Sequence, residues 1–216
     1  MKSSISAVAL AALLFAIGVA PASAGILYDN GGSFTGTLDA WGINFGNATA
    51  DSFVLSHDAT ITGANFVVWA YPGDTLTSVD WAIVSDPLGS TTYASGTGAA
   101  ITQTLLFTPN PDGRDIDTET FSIPGLTLSA GTYWLLLQNA VVDNGDHIYW
   151  DRSDGPSQAW NKLYGGYVAN YPTCGDVPCT ASETFQIVGV PEPASFGLLA
   201  MGLLAMATLR RRWINQ

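Results

Sequence analysis

The amino-acid sequence predicts an all-β fold, in which residues 25–189 form an antiparallel β-sandwich. Runs of β-branched and aromatic residues recur at intervals of about 8–12 residues, as short strands do in sandwiches and barrels. Gly, Pro, Asn and Asp lie between these runs, where tight turns need them. No segment of this middle region keeps a helical period. Together these observations favour two packed antiparallel sheets or a barrel.

The strands are predicted from the apolar runs and from the turns between them. The predicted runs are 51–55, 60–71, 79–84, 91–95, 103–108, 118–123, 126–137, 147–151 and 183–188. The turn Asp86-Pro87-Leu88-Gly89 separates the third and fourth runs, which we therefore expect to form a hairpin. Pro124-Gly125 is expected to end the sixth run.

The stretch from Leu126 to Trp134 has the pattern Leu-x-Leu-x-Ala-Gly-x-Tyr-Trp. A glycine turn here leads into a central strand in which Tyr133 and Trp134 alternate faces. This pattern resembles secreted jelly-roll domains, so we expect the sandwich to be jelly-roll-like. The expected core residues are Phe66, Val68, Trp81, Ile83, Phe121, Tyr133 or Trp134, Leu136, Phe185 and Ile187.

The predicted domain is strongly acidic. Between Gly25 and Gly189 the basic residues are Arg114, Arg152 and Lys162, against fifteen Asp and two Glu, which gives a net charge of −14. A surface of this sign repels phosphate backbones, so the charge argues against nucleic acid as a partner. Asp suits turns, and its carboxylate also suits divalent cations.

The first 24 residues have the features of a secretory signal peptide. Met1-Lys2 supplies a positive start, an apolar run follows from Ile5 to Val19, and Ala22-Ser23-Ala24 gives the small residues of a cleavage site. We therefore expect cleavage before Gly25. A membrane anchor is the alternative.

The two cysteines, Cys174 and Cys179, flank the short segment Gly-Asp-Val-Pro. Because export leads to an oxidising compartment, we expect them to form a small-loop disulfide. Two free thiols are the alternative. A metal site is not favoured here, since no further cysteine is available and both histidines lie far away in sequence.

The C-terminal tail, residues 190–216, has three parts. The first ends the domain, because its two prolines exclude both a helix and a central strand. The second, residues 194–209, is uncharged and as a helix would span about 24 Å, less than the roughly 30 Å core of a bilayer. The third is an arginine cluster that would stay on the cytoplasmic side. This order is typical of a sorting signal, and a single-span anchor is the alternative.

The same three parts, in this order, resemble the PEP-CTERM sorting domain. The matching positions are Val190, Pro191, Glu192, Pro193, Arg210, Arg211 and Arg212. The resemblance implies processing by exosortase, a membrane cysteine transpeptidase-like enzyme, in bacteria that make exopolysaccharide. It also implies transient or permanent membrane anchoring through the C-terminal helix, and a place in the cell envelope, at the cell surface or in a biofilm matrix. It implies nothing about the chemistry of the middle domain.

This tail is also known as an ice-binding protein C-terminal domain. Ice-binding surfaces need flat, regular arrays of threonine on repeated strands. Here Thr35-Gly36-Thr37 and Thr60-Ile61-Thr62 are isolated, with no fixed period between them. The sequence therefore does not favour ice binding.

The middle region carries no recognisable catalytic motif. Its histidines, His57 and His147, lie in no zinc or nucleophile signature, and no phosphate-binding glycine loop is present. Paired carboxylates could serve a glycosidase, but Glu119 and Glu183 are not distinguished from the many other acidic residues. We therefore expect a protein that is not an enzyme.

Loops rich in oxygen ligands make calcium the one candidate cofactor. Calcium is held by about six to eight oxygens, and acidic loops provide them. The candidate ligands around Gly113 are Asp112, Asp115 and Asp117, with Asn110 and Glu119 close by, and Asp143, Asn144 and Asp146 form a second cluster. The spacing does not match an EF-hand, and the alternative is that these residues only close turns.

A region rich in aromatic and polar residues begins at Tyr149 and is the candidate glycan site. Flat aromatic faces stack on sugar rings, while Asp and Arg bind hydroxyl groups. The candidate residues are Trp150, Asp151, Arg152 and Trp160. The alternative is that the aromatics fill the core, since Trp and Tyr are usually largely buried.

These patterns predict an exported, non-enzymatic protein of the cell surface or extracellular matrix that is sorted by exosortase and associated with exopolysaccharide or biofilm. A structural envelope protein without a ligand is the alternative, and a secreted glycan hydrolase ranks third. Exposed aromatics around Trp150 and Trp160 favour the first function and buried ones the second. A cleft with two carboxylates about 5–9.5 Å apart favours the third.

Overall fold

The computed structural model describes residues 23–31, 40–107, 113–153, 155–163, 167–169, 173–174, 177–178 and 182–192. All regular secondary structure in these residues is β, and they contain no helix. The strands are β1 (Gly25–Asp29), β2 (Ala40–Gly42), β3 (Ala48–Leu55), β4 (Ala59–Ala70), β5 (Leu76–Val84), β6 (Thr92–Ala100), β7 (Thr102–Phe107), β8 (Asp115–Leu128), β9 (Gly131–Val142), β10 (Tyr149–Asp151), β11 (Ala159–Leu163), β12 (Tyr167–Ala169), β13 (Thr173–Cys174), β14 (Val177–Pro178) and β15 (Phe185–Pro191).

The strands form two large antiparallel sheets. In the seven-stranded sheet β8 lies along one edge of β4, followed by β7, while β15 and β10 share the other edge of β4. Outside these, β1 pairs with β15 and β2 pairs with β10. The six-stranded sheet has the order β12-β11-β3-β9-β5-β6, and β13 and β14 form a small separate pair. The predicted all-β, antiparallel architecture is confirmed.

The hydrophobic core lies between the two sheets, which together form a sandwich. Trp150 has no exposed surface, and its ring meets those of Phe66 and Phe185 edge to face, with centroids 6.2 and 5.6 Å apart. Trp81 stacks on Phe121 from the opposite sheet at 5.8 Å. The expected core residues that are buried in this cluster are Phe66, Val68, Trp81, Ile83, Phe121, Tyr133, Phe185 and Ile187.

The alternation of side chains between the two faces of β9 contradicts one of the core predictions. Tyr133, Leu135 and Leu137 face the core, whereas Trp134 and Leu136 face the opposite side of the six-stranded sheet. The prediction that Leu136 lies in the core is therefore wrong, because side chains alternate between the two faces from Tyr133 to Leu137 and Leu136 is three residues from Tyr133. Trp134 and Leu136 instead help to form the outer surface of this sheet.

Two predictions concern turns and strand ends. β5 and β6 form the expected hairpin, so that prediction is confirmed. The prediction that Pro124-Gly125 ends a strand is wrong, because β8 continues through both residues to Leu128. β4 pairs with both parts of β8, and its register shifts between Ile61 and Gly63. β7 pairs only with residues of β8 that precede Pro124. Because no strand of this edge lies beside Pro124, the backbone N–H that proline lacks is not needed for pairing there.

Several predicted features lie outside the described residues. They include the signal peptide up to residue 22, the C-terminal apolar segment with its arginine cluster, and Cys179. The disulfide therefore stays a prediction. The part of the chain that the structure describes holds no helix with the length and apolarity needed to cross a membrane.

Candidate functional site: a groove on the six-stranded sheet

A groove with a volume of about 520 Å³ runs over the outer face of the six-stranded sheet. Its floor and sides come from β11, β3, β9, β5 and β6, together with the turn that joins β5 to β6. The opposite face of the same sheet packs on the core. The groove is therefore supported from below by the rigid part of the sandwich.

One row of paired residues crosses five strands and forms the centre of the floor. In this row Trp160 pairs with Ala50, Ala50 with Leu136, Leu136 with Ala82, and Ala82 with Ser95. All five residues line the groove. The side chains of Ala50 and Ala82 are short, so the floor between Trp160 and β6 lies below the residues on either side.

The next row of paired residues supplies polar groups. Lys162 pairs with Ala48, Ala48 with Gln138, and Gln138 with Asp80, and all four line the groove. Asp80 accepts hydrogen bonds from the backbone N–H of Gly98 at 2.7 Å and from Asn139 Nδ2 at 2.9 Å. The floor thus has an apolar row beside a polar row.

Trp160 forms one wall of the groove. Its side chain is half-buried and packs against a cluster of outer-face residues that includes Ala50, Val84 and Trp134. The opposite wall is the β5–β6 turn, where Leu88 is 72% exposed. Trp160 therefore offers a fixed aromatic surface beside a shallow apolar floor, while hydroxyl and amide groups lie within the same groove.

The other candidate glycan residues lie in the interior. Trp150 and Asp151 are 0% exposed and Arg152 is 4% exposed. Trp150 Nε1 donates to the backbone carbonyl of Thr184 at 2.9 Å, and Asp151 accepts from Trp69 Nε1 at 2.6 Å. A side chain without exposed surface cannot stack on a sugar, so these three residues leave the candidate set and Trp160 remains.

Burial also changes the proton affinity of Asp151. Removal from water raises the pKa of this carboxyl to about 6, although hydrogen bonds from Thr184 and Trp69 act in the opposite direction. Arg152, next along the chain, places its guanidinium 5.2 Å from the centroid of the Trp41 ring. These contacts join β10 to neighbouring elements and so stabilise the fold.

A second buried polar cluster was not anticipated from the sequence. Asn30 Nδ2 lies within hydrogen-bond distance of Ser157 Oγ at 2.5 Å, Ser182 Oγ at 2.7 Å and Asp51 Oδ2 at 3.2 Å. All four side chains are buried. Their positions in the sequence are far apart and each residue type is common in turns, so no local pattern marks them as a group.

The two calcium candidates within the described residues, Asp115 and Asp117, lie on strand β8 and not in a loop. Asp112 lies outside the described residues. Asp115 Oδ2 accepts from the backbone N–H of Gly73 at 3.2 Å, and Asp117 is buried. Within the described ranges, no three His, Cys, Asp or Glu side chains form a group that could hold a metal ion.

The domain is thus an all-β sandwich with a groove across one sheet, and the tail after it determines where the protein is sent. The family model for the PEP-CTERM protein-sorting motif matches residues 189–212. The chain therefore carries this motif, as its resemblance predicted, and it is an exported protein that exosortase sorts to the cell envelope or surface. A comparison with curated proteins gives no match.

Proposed function

We propose that the domain is a jelly-roll-like glycan-binding module that holds neutral exopolysaccharide in the groove of the six-stranded sheet, without catalysing a reaction. The observation that carries this proposal is the position of Trp160 beside the low floor formed by Ala50 and Ala82. An aromatic surface with hydrogen-bonding groups around it suits a sugar, which has apolar C–H faces and hydroxyl edges.

The charges of the groove support a binding role and a neutral ligand. Asp80 is the one carboxylate among the described lining residues, and two donors already hydrogen-bond it. A glycosidase of the usual kind needs a pair of carboxylates. Lys162 balances Asp80 locally, while the domain as a whole carries a charge of −14 and repels polyanions.

The sorting motif supports exopolysaccharide as the source of the glycan. A protein that exosortase sends to the envelope or surface meets the cell's own extracellular polymers first. The protein would act there as a component of the surface layer or biofilm matrix.

A structural protein without a ligand is the second candidate. The burial of Trp150, Asp151 and Arg152 favours it, because most of the region rich in aromatic residues serves the core. The two candidates differ in whether the groove is occupied.

Titration of the full chain in mild detergent distinguishes the two candidates. The probes are dextran, galactomannan and a soluble β-glucan, followed by tryptophan fluorescence and affinity electrophoresis. We expect Trp160→Ala to weaken binding to the best probe at least tenfold, about 1.4 kcal/mol, because the aromatic wall is removed.

Phe45→Ala is the matched control, since Phe45 is also an exposed aromatic, 48% exposed, but does not line the groove. Its affinity should stay within twofold of the parent protein. An absence of binding to every neutral probe would leave the structural role as the better account.

A further inference from the structure

The inner face of β8 carries two buried carboxyl groups that the groove does not use. Asp117 and Glu119 alternate with outward-facing residues and share a face with Phe121, which belongs to the core. Asp117 is 1% exposed and Glu119 is 0% exposed. Two carboxylates removed from water are strongly unfavourable unless positive charge or hydrogen bonds compensate them.

The strands packed against β8 offer no positive charge. β4 and β7 pair with β8, and β6 contacts it from the other sheet. The sequences of these three strands contain no Asp, Glu, Lys, Arg or His. In register, Glu119 faces Phe66 on one side and Gln103 on the other.

Arg114, the basic residue nearest in sequence, interacts elsewhere. Its guanidinium lies 3.6 Å from the ring centroid of Tyr71 and 5.2 Å from that of Tyr149. Tyr149 belongs with Val67 and Trp69 to the outer face of the seven-stranded sheet. The guanidinium is therefore positioned on the side of the sheet away from Glu119.

Among the described residues, most oxygens of the carboxyl pair have no hydrogen-bond donor. Gln103 Nε2 donates to Asp117 Oδ2 at 2.8 Å and also lies 3.3 Å from the backbone carbonyl oxygen of Asp74. Asp117 Oδ1 and both Glu119 oxygens have no partner in the described part of the chain. Buried side-chain oxygens are nearly always bonded, so three such atoms side by side indicate a missing ligand.

We propose that Asp117 and Glu119 are the carboxylate ligands of a buried calcium site between the sheets. Calcium accepts carboxylate, amide, carbonyl and water oxygens in irregular geometry. Since no third acidic, Cys or His side chain completes a metal-holding group in the described ranges, the remaining ligands are neutral oxygens. Two candidates are the Gln103 amide, whose nitrogen donates to Asp117, and the Asp74 carbonyl, which contacts the same nitrogen.

This site differs from the loop predicted from the sequence. Asp117 and Glu119 are both among the residues considered for calcium from the sequence, but they lie on the inner face of strand β8 and not in a loop. The bound ion would connect β7 and β8 to the turn between β4 and β5, which contains Asp74, and so stabilise the fold.

A proton and the cation compete for the same carboxyl pair. Burial, and to a smaller extent the charge of Asp117, raises the pKa of Glu119 to about 8. Burial also raises the pKa of Asp117, and the charge of Asp115 adds to this effect. Both shifts have the same cause, which is burial of the carboxyl pair without a compensating positive charge.

The test measures the unfolding temperature of the full chain in detergent with CaCl2 alone as the added ligand. At pH 9 and a calcium concentration about 100 times Kd, we expect a rise of roughly 5 °C. MgCl2 at the same ionic strength controls for screening and should give little effect, since Mg²⁺ demands near-ideal octahedral geometry.

Glu119→Gln keeps the shape of the side chain and removes its charge. This variant should lose the calcium response, while its unfolding temperature in EDTA should equal or exceed that of the parent protein. Asp58→Asn, at an exposed loop position before β4, is the control and should keep the response. An unchanged unfolding temperature in calcium at pH 9, or a full response in Glu119→Gln, overturns the proposal. Neither outcome bears on glycan binding.

Discussion

Asp51 shows at the residue scale how burial can outweigh hydrogen bonding. Its Oδ2 accepts from Ser157 Oγ at 2.7 Å and from the backbone N–H of Glu183 at 2.6 Å. Both bonds favour the ionised carboxylate, yet loss of hydration is the larger effect and raises the pKa of Asp51 to about 7. The folded protein therefore holds a proton on this carboxyl more tightly than the unfolded chain does.

This proton affinity predicts a direction for stability against pH. Because the folded pKa of Asp51 lies above the ordinary value of 3.8, its contribution to stability is fully present below about pH 4 and is lost as pH rises towards 7. Each tenfold difference in proton affinity corresponds to about 1.4 kcal/mol. We expect the unfolding temperature to fall between pH 4 and pH 8, as measured by tryptophan fluorescence.

Two variants separate this effect from the general charge of the domain. Asp51→Asn should flatten the decline even where it lowers the unfolding temperature at every pH. Asp86→Asn is the control, because hydrogen bonds from Ser85 and Ser90 lower the pKa of Asp86 and its influence lies at acidic pH. A decline as steep in Asp51→Asn as in the parent protein would refute the role given to Asp51.

At the scale of elements, β1 and β15 contain two paired glycines with different surroundings. Gly25 and Gly189 are partners in register. A Cβ at Gly189 would clash with the backbone carbonyl of Thr60 and with Leu27, whereas a Cβ at Gly25 would meet nothing. The close approach arises where β15 shifts register against β4.

We expect Gly189→Ala to destabilise the protein by roughly 1–3 kcal/mol, because backbone must move to admit the methyl group. Gly25→Ala should stay within about 0.5 kcal/mol of the parent protein. Urea unfolding of the two variants provides the comparison. Equal stability of both would mean that β4 and β15 are not packed this closely.

Much of the element pattern could be predicted from the sequence. The β5–β6 hairpin is marked by a local turn, Asp86-Pro87-Leu88-Gly89, between two strand-like runs. The continuation of β8 through Pro124 could not be predicted, because it depends on which strand ends beside that residue. The pairing of β4 with β15 and β10 along one edge is equally non-local.

The groove was predictable only through Trp160. The aromatic character of Trp160 and its polar neighbours can be recognised in the sequence. The same argument also selected Trp150, but the alternation of side chains along β10 places Trp150 in the core. The floor residues Ala50 and Ala82 carry no chemical signal of their own. They become a site only because strand register places them beside Trp160 and Leu136.

For the whole molecule, the net charge of −14 on residues 25–189 should select among polysaccharides. At low salt the domain repels a polyanion such as alginate over roughly 30 Å, and at physiological salt over about 8 Å. We expect alginate to bind more weakly than dextran or galactomannan at about 0.01 M salt, and this difference to shrink at about 0.15 M. Affinity electrophoresis at the two salt concentrations measures both effects. Tighter binding of alginate at low salt would contradict a neutral ligand.

Blocking the floor of the groove tests most directly whether glycan occupies it. Ala82 is half-buried at the centre of the floor, and its side chain faces away from the main core. The measurement is the dissociation constant of Ala82→Trp for the neutral polysaccharide that the parent protein binds best, at equal unfolding temperature. We predict at least a tenfold loss of affinity, because the new side chain fills the space beside Trp160. Unchanged affinity in a folded Ala82→Trp protein would show that the glycan binds elsewhere and would contradict the account.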